Sequence, residues 1–258
     1  MPGERFARLE LLLGTEGLNS LTKARVMVLG LGGVGSSCAE ALARGGIGSL
    51  VLLDRDIIEE SNINRQKLAF TSTLGREKAE VMAQIVADIN PECTVFATRT
   101  YLDSRTLEQT LDRLPRPDYV LDCIDTLTQK LGIARWCAKE RIPLISSMGA
   151  ANKFDPTQLH FCEVQESRHC HLARAMRREC RHRGIADLEV LSSQEAHPSF
   201  ITPKSWDANA RLGSMSYMPP IMGQMLAGQV IQRLAGLSPM PTPPRLVDSW
   251  RGTPCSRG

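Results

Sequence analysis

The chain has eight cysteines but no Cys-x-x-Cys pair, and none of the eight stand at the spacings of a disulfide framework. That fits a reducing compartment and removes the two commonest signatures of structural zinc or disulfide stapling. No apolar run approaches the roughly 18 residues that a membrane helix needs, and residues 1–9 are too polar for a signal peptide. We therefore expect a cytoplasmic protein with no membrane contact. Charge of one sign is also missing. The formal net charge is only +3, with 23% charged residues, so any nucleic-acid contact must come from a local patch. Aromatic residues are scarce at 5%, which leaves little material for stacking bases. No internal repeat is present. The remaining composition, 42% hydrophobic in 258 residues, is ordinary globular usage, sufficient for one sizeable core.

What is present begins at Arg25. Residues 25–29 form an apolar, β-prone run ending at Gly30, followed by Leu31-Gly32-Gly33-Val34-Gly35-Ser36. This reads as a strand, a tight glycine turn and a helix over residues 36–44 whose positive end faces a phosphate. Gly30, Gly32, Gly33 and Gly35 are the cradle. A second apolar strand, residues 49–53, ends at Asp54, placed to hold a ribose hydroxyl. The pattern predicts an adenine-nucleotide site.

Two nucleotides fit such a site, a redox dinucleotide or ATP. A triphosphate carries about four charges and needs Arg, Lys and a metal, whereas a dinucleotide pyrophosphate is usually satisfied by backbone amides. Asp54-Arg55-Asp56, Asn62-Ile63-Asn64-Arg65-Gln66 and Lys78 favour ATP. Arg65 can grip phosphate oxygens in a bidentate fork, Asn62 and Gln66 can add neutral hydrogen bonds, and Lys78 opens a helix over residues 78–89. Asp125 follows a strand over residues 119–121, at the sheet edge where ligands bind in open α/β folds. It is the candidate Mg²⁺ ligand. Any one of these alone reads better as a solvated loop charge. The constellation argues against an NAD-dependent dehydrogenase.

Together, Gly-x-Gly-Gly-Val-Gly-Ser, Asp-x-Asp, Asn-x-Asn-Arg-Gln, Lys78 and Asp125 resemble the ThiF/MoeB/HesA adenylating enzymes, relatives of the ubiquitin-activating enzymes. Arg5-Phe6-x-Arg8, Leu12-x-Gly14, residues 89–93 and the stretch Gly149 to Thr157 are similar to the threonylcarbamoyladenosine dehydratase branch of that family. The resemblance covers residues 5–235. It implies a single-domain, Rossmann-like, doubly wound and mostly parallel α/β sheet akin to the ubiquitin-activating enzymes. It implies that Gly32, Gly33 and Gly35 line the nucleotide pocket, that Asp54 binds ribose, and that Asp56, Asn62, Arg65, Gln66 and Lys78 surround the phosphates. It places Mg²⁺ on Asp125. Arg8, with Arg5 as runner-up, matches an arginine inserted into the partner subunit's site, which implies a homodimer. The implied reaction is Mg-ATP-dependent activation of a carboxylate, cyclising threonylcarbamoyladenosine in tRNA with loss of water. A cysteine desulfurase or sulfur acceptor is a possible partner. The alternative is adenylation of the C-terminal glycine of a ubiquitin-like sulfur carrier. Branches acting on such carriers often hold zinc on two Cys-x-x-Cys pairs, which this chain lacks. A non-catalytic RNA-binding relative is a third reading, opposed by the intact ATP constellation.

One segment departs from the dehydratase pattern. Relatives tend to carry Asp-Pro where Cys170-His171 stand here. His160, Cys162, His169, Cys170, His171, Cys180 and His182 crowd into a short stretch. One reading is a zinc site from Cys170, His171, Cys180 and a further ligand. The other, which we prefer, puts Leu172, Met176 and Cys180 on the apolar face of a helix and Cys162 in a strand. On the same helix Arg174, Arg177, Arg178 and Arg181 share a face without interleaved acids. We read them as a phosphate-tracking stripe for tRNA, the alternative being a solvated basic face. Cys38, Cys123 and Cys137 read as core residues.

The chain divides into an ATP-binding half, residues 1–150, a substrate and dimer half, residues 151–237, and an irregular tail, residues 238–258. A strand is expected over residues 142–147. Residues 187–207 read as a mobile substrate or crossover loop. Residues 220–234 read as a helix whose Gly223, Ala227 and Gly228 permit close contact in the core or across a dimer.

Overall fold

A computed structural model describes residues 4–196 and 212–247. Strands and helices alternate from the start. Helix α1 (Ala7–Lys23) is kinked at Gly14, where φ is 68°. Strand β1 (Arg25–Leu29) leads into α2 (Gly33–Arg44), β2 (Ser49–Asp54), α3 (Lys78–Ile89), β3 (Thr94–Arg99), α4 (Leu107–Asp112), β4 (Tyr119–Asp122), α5 (Leu127–Glu140) and β5 (Leu144–Ser147). After β5 come β6 (Leu159–Glu163), α6 (His171–Arg183), β7 (Ile185–Ala186), β8 (Glu189–Ser193), α7 (Met218–Leu234) and β9 (Arg245–Leu246).

Seven strands form one sheet in the order β3-β2-β1-β4-β5-β8-β6. All neighbours are parallel except β6, which runs antiparallel to β8. Strands β1, β2, β4 and β5 carry apolar residues on both faces because helices cover both faces. One apolar layer lies under α2, α3 and α7 and the other under α4, α5 and α6. The order reverses direction between β1 and β4, which opens a crevice at their carboxyl ends. This is the expected doubly wound α/β sheet.

Several boundaries differ from expectation. Helix α2 begins at Gly33, so Gly33 and Gly35 lie in its first turn rather than in the loop. The reason is close packing. A Cβ on Gly35 would stand 1.8 Å from the Gly30 carbonyl oxygen, and one on Gly33 would stand 2.7 Å from Pro219. The glycines let the helix lie directly on β1 and α7. Residues 189–193, expected within a loop, form a sheet strand. Val190 and Leu191 are fully buried on opposite faces, which offsets the polar residues beside them. The rest of that expected loop, residues 197–207, lies outside the described residues. The tail contributes β9, paired with β7. Its residues 248–258 are likewise outside the description. Two of the three small residues of α7 serve the core: a Cβ on Gly223 would meet the Val34 carbonyl oxygen at 2.3 Å, and Ala227 is fully buried, whereas a Cβ on Gly228 would meet nothing within 4 Å.

Candidate nucleotide and phosphate site

The crevice at the switch point collects most of the charged residues singled out above. Gly30 turns the chain with φ of 86°, a left-handed conformation suited to glycine. A Cβ there would press on Cys123 at 3.1 Å. At Gly32, the N-cap of α2, a Cβ would meet nothing within 4 Å. The helix therefore presents its free amide end to open space, a cradle of the kind that accepts phosphate.

Asp54 ends β2 and is half-buried. One carboxylate oxygen accepts the Leu31 N–H at 2.5 Å and the other accepts the Asp56 N–H at 2.8 Å. Asp54 thus braces the glycine loop, and each oxygen retains a second lone pair for a hydroxyl. Asp56 is exposed and accepts from the Lys78 ammonium at 3.3 Å. Lys78 itself is 5% exposed, a buried cation with one long carboxylate contact.

Residues 60–67 fold over the start of α2. The Ser36 hydroxyl accepts the Lys67 N–H at 3.0 Å and donates to the Gly32 carbonyl at 2.6 Å. Glu40, buried in α2, pairs with Lys67 at 3.2 Å and with Arg44 at 2.8 Å. This latch carries Arg65 to Gly33, whose Cβ would stand 3.3 Å from Arg65 Cγ. The Arg65 guanidinium donates to the Ser61 carbonyl and to Asn64 Oδ1, both at 2.9 Å. No carboxylate neutralises it among the described residues. Asn62 is buried and works locally, its Oδ1 accepting the Glu59 N–H at 3.1 Å. Gln66 is buried with its side-chain oxygen unpartnered. Asp125 is exposed in the turn between β4 and α5 and, among the described residues, accepts only from the Thr126 hydroxyl, at 3.4 Å.

Arg8 is not brought to this crevice. Phe6 packs beside Gly46, past the C-terminal end of α2. The crevice lies at the other end of that 12-residue helix, about 18 Å away. Arg5 and Arg8 are both exposed.

The second half meets the same edge. The Lys153 ammonium, 1% exposed, donates to the His169 carbonyl at 3.1 Å and to the Glu195 carbonyl. Burial holds its pKa below the usual lysine value. The Glu195 carboxylate accepts from the Phe154 and Asp155 N–H groups at 2.9 Å. Asn64 and Asn152 bond to Ser214 and Gly213, so the chain that enters α7 crosses this edge.

The arginine stripe is broken. Arg177 turns inward onto the Ser167 carbonyl and hydroxyl. Arg178 pairs with Glu179 at 3.0 Å, and Arg183 pairs with the same acid at 3.4 Å. Arg181 donates to Gln165 at 2.8 Å. Glu179 stands off the row of Arg174, Arg177, Arg178 and Arg181, yet its side chain reaches Arg178 beside it and Arg183 one turn on. Arg174, Arg178 and Arg181 remain exposed. The metal-capable cluster does not converge either: no three His, Cys, Asp or Glu groups gather for a metal among the described residues. Cys180 is fully buried, and burial pushes its thiol up to about 12.

The ThiF family pattern matches residues 5–252. The chain belongs to the ThiF family. It is 39% identical over 242 residues to the tRNA threonylcarbamoyladenosine dehydratase of Bacillus subtilis (strain 168), covering 89% of this chain and 94% of that one. The crystal structure of the E. coli tRNA N6-threonylcarbamoyladenosine dehydratase in complex with ATP superposes with a TM-score of 0.81 at 29% identity, covering 90% of this chain and 94% of that one. A molybdopterin-synthase adenylyltransferase of Salmonella typhimurium is 36% identical, but only over 140 residues and 54% of either chain.

One buried group was missed by sequence reasoning. Asp122, Lys130 and Ser146 meet inside the sheet edge with the ammonium 3.0 Å from the carboxylate, and the two charged side chains have no exposure. The signal was an acid closing an apolar strand and a lysine beside Leu131 on the buried face of the next helix.

Proposed function

We propose that this protein uses Mg-ATP to activate the carboxylate of threonylcarbamoyladenosine in tRNA and closes that group into a ring with net loss of water. The observation that carries the reading is an uncovered helix end with an unneutralised guanidinium and a buried ammonium beside it. Dinucleotide pyrophosphate does not require those two cations; a triphosphate does. The likeness to dehydratases over about nine-tenths of the chain, one of them solved with ATP, supports the same substrate. The sulfur carrier protein ThiS adenylyltransferase of E. coli matches only 55% of this chain, which makes that alternative the weaker one.

In this reading the amides at Gly32 and Gly33 receive phosphate and Asp54 receives the ribose. Arg65 and Lys78 balance charge that grows on the phosphates as the substrate carboxylate attacks phosphorus. Asn62 and Gln66 shape the wall, and Asp56 holds the Lys78 ammonium in register. Asp125 suits Mg²⁺ because it is a hard oxygen donor at the crevice with no cation partner among the described residues; it would hold the ion, which would supply positive charge against the triphosphate. The carboxylate oxygen bonds to phosphorus as that phosphorus releases its bridging oxygen, so pyrophosphate leaves if the α-phosphorus is attacked and ADP if the γ-phosphorus is, and the carboxylate becomes an anhydride. A nucleophile in the same substrate group then gives up its proton as it bonds to the carbonyl carbon, and AMP or phosphate leaves with the former carboxylate oxygen. Ring closure within the substrate needs no enzyme nucleophile.

Arg8 acts, in this proposal, in the crevice of a second subunit of a homodimer, since its own crevice lies at the far end of α2. Exposed Arg174, Arg178 and Arg181 supply the tRNA phosphate contacts, without Arg177. The decisive experiment incubates the protein with ATP, Mg²⁺ and tRNA bearing threonylcarbamoyladenosine, and follows both nucleoside mass and the release of pyrophosphate or phosphate. ATP-dependent loss of one water supports the proposal. Tight NAD binding with indifference to ATP overturns it. A sulfur carrier adenylated in place of tRNA would transfer the assignment to the other branch.

A further inference from the structure

The turn that carries Asp125 is held from below by charges with no access to solvent. Asp122 closes β4 and is 0% exposed, as is Lys130 on the first turns of α5, while Ser146 on β5 is 1% exposed. The Lys130 ammonium donates to Asp122 Oδ2 at 3.0 Å, to Ser146 Oγ at 3.0 Å and to the Asp122 carbonyl at 3.4 Å. The Ser146 hydroxyl donates to Asp122 Oδ2 at 2.6 Å. The other carboxylate oxygen, Oδ1, faces the turn and accepts the Ile124 N–H at 3.1 Å. Ile124 is the residue before Asp125.

The same turn abuts the glycine loop. The Cys123 N–H donates to the Leu29 carbonyl at 2.8 Å, and Cys123 stands 3.1 Å from where a Cβ on either Gly30 or Gly35 would lie. A buried ion pair is costly to assemble and is rarely needed for stability, because apolar residues of similar volume serve as well or better. Its use here lies in the second oxygen. Lys130 and Ser146 fix one edge of the carboxylate, so the opposite edge has a single orientation toward the Ile124 N–H.

We propose that Asp122, Lys130 and Ser146 are positioning residues that lock the turn between β4 and α5 onto the glycine loop and thereby set the Asp125 carboxylate against the triphosphate. This rests on the ATP reading above. None of the three touches the nucleotide; they act through Ile124 and Asp125.

The test separates shape from charge. In Asp122→Asn/Lys130→Met the asparagine keeps Oδ1 for the Ile124 N–H and presents its amide to the Ser146 hydroxyl, with both charges gone. In Asp122→Leu/Lys130→Met the acceptor is gone as well. The readout is the ratio of ATP dissociation constants in EDTA and in excess Mg²⁺, measured by calorimetry without tRNA, with Asp125→Asn as the reference for a lost ratio. The asparagine variant should keep the unaltered protein's ratio within threefold. The leucine variant should fall to that of Asp125→Asn, while melting within a few degrees of the asparagine variant. A leucine variant with the original ratio overturns the proposal, as does an asparagine variant that loses it. If the leucine variant does not fold, Ser146→Ala added to the asparagine variant takes its place and should fall toward the Asp125→Asn ratio, and an unchanged ratio there overturns the proposal. Failure of the unaltered protein to bind ATP would instead remove the reading on which the proposal rests.

Discussion

The two ends of the sheet treat charge in opposite ways. At the amino edge several charges are closely matched. Arg233 forms a two-pronged pair with Glu189 at 2.7 and 2.8 Å and reaches the Tyr119 hydroxyl at 2.6 Å. Arg245 pairs with Asp187, and Arg116 with Glu140 at 2.8 Å. At the carboxyl edge Arg65 and Asp125 have no opposite charge among the described residues, and Lys78 has one contact at 3.3 Å. Charges that fold a protein find partners within it. Charges kept for a ligand are left short of them, and stability elsewhere must compensate.

That contrast breaks most sharply by substitution on each side. Arg65→Ala, Lys78→Ala and Asp125→Ala should each cost on the order of 2–4 kcal/mol of transition-state stabilisation, roughly thirtyfold to a thousandfold in kcat/KM. Their melting midpoints should stay within a few degrees. Arg233→Met should do the reverse. Leaving Glu189 and Tyr119 without their partner should cost about 3 kcal/mol of stability, roughly 6–12 °C in melting midpoint for a chain of this size. ATP affinity in that variant should be unchanged. If Arg233→Met abolished ATP binding, or Arg65→Ala unfolded the protein, the division between the edges would be wrong.

Arg8 sharpens the comparison, because it stands near the wrong end of its own α2 yet is assigned to an active crevice. Mixing inactive Arg8→Ala with inactive Asp125→Ala should restore part of the activity, since one hybrid crevice is whole. Absence of recovery between subunits shown to exchange would remove Arg8 from the partner's site. A smaller effect belongs to α6. Arg174→Glu with Arg178→Glu should weaken tRNA binding and flatten its log–log salt dependence by about one unit per lost phosphate contact, with ATP binding intact. Arg177→Glu should instead lower stability, because that side chain is tied to Ser167.

The smallest effect is expected at the amino edge. Burial, then Asp187 and Glu166, raise the Glu163 pKa. An acid raised in the folded state binds more protons folded than unfolded, so its contribution to stability falls as pH climbs from the ordinary carboxylate range through the folded value. Glu163→Gln should therefore melt slightly higher than the unaltered protein at pH 7, and the gap should close toward pH 4. A gap that widens on acidification would contradict that sign.

Most of the first half was legible because its signals are local. An apolar strand, glycines and an acid after a second strand fix the β1–α2–β2 unit, and α3 begins and ends where its pattern says. The helix start is not legible, because glycine signals a turn in sequence whereas Gly33 and Gly35 answer to Pro219 and Gly30 across space. The strand at residues 189–193 was hidden for a similar reason. Its register and burial come from β5 and β6, which lie far away in sequence. Among site residues, charge type and sheet-edge position were readable for Arg65, Lys78 and Asp125. Partners were not: that Arg177 serves Ser167 and that Asp54 braces Leu31 depends on side-chain direction, which spacing alone does not give.

The central claim is that unmatched charge at the carboxyl edge serves ATP-driven ring closure on tRNA. It is tested most directly by giving the unaltered protein and Arg65→Ala the same tRNA bearing threonylcarbamoyladenosine, with and without ATP, and weighing the nucleoside. The account predicts loss of one water only with ATP and only at full rate in the unaltered protein. An unchanged nucleoside from protein shown to have bound both ATP and that tRNA would contradict it.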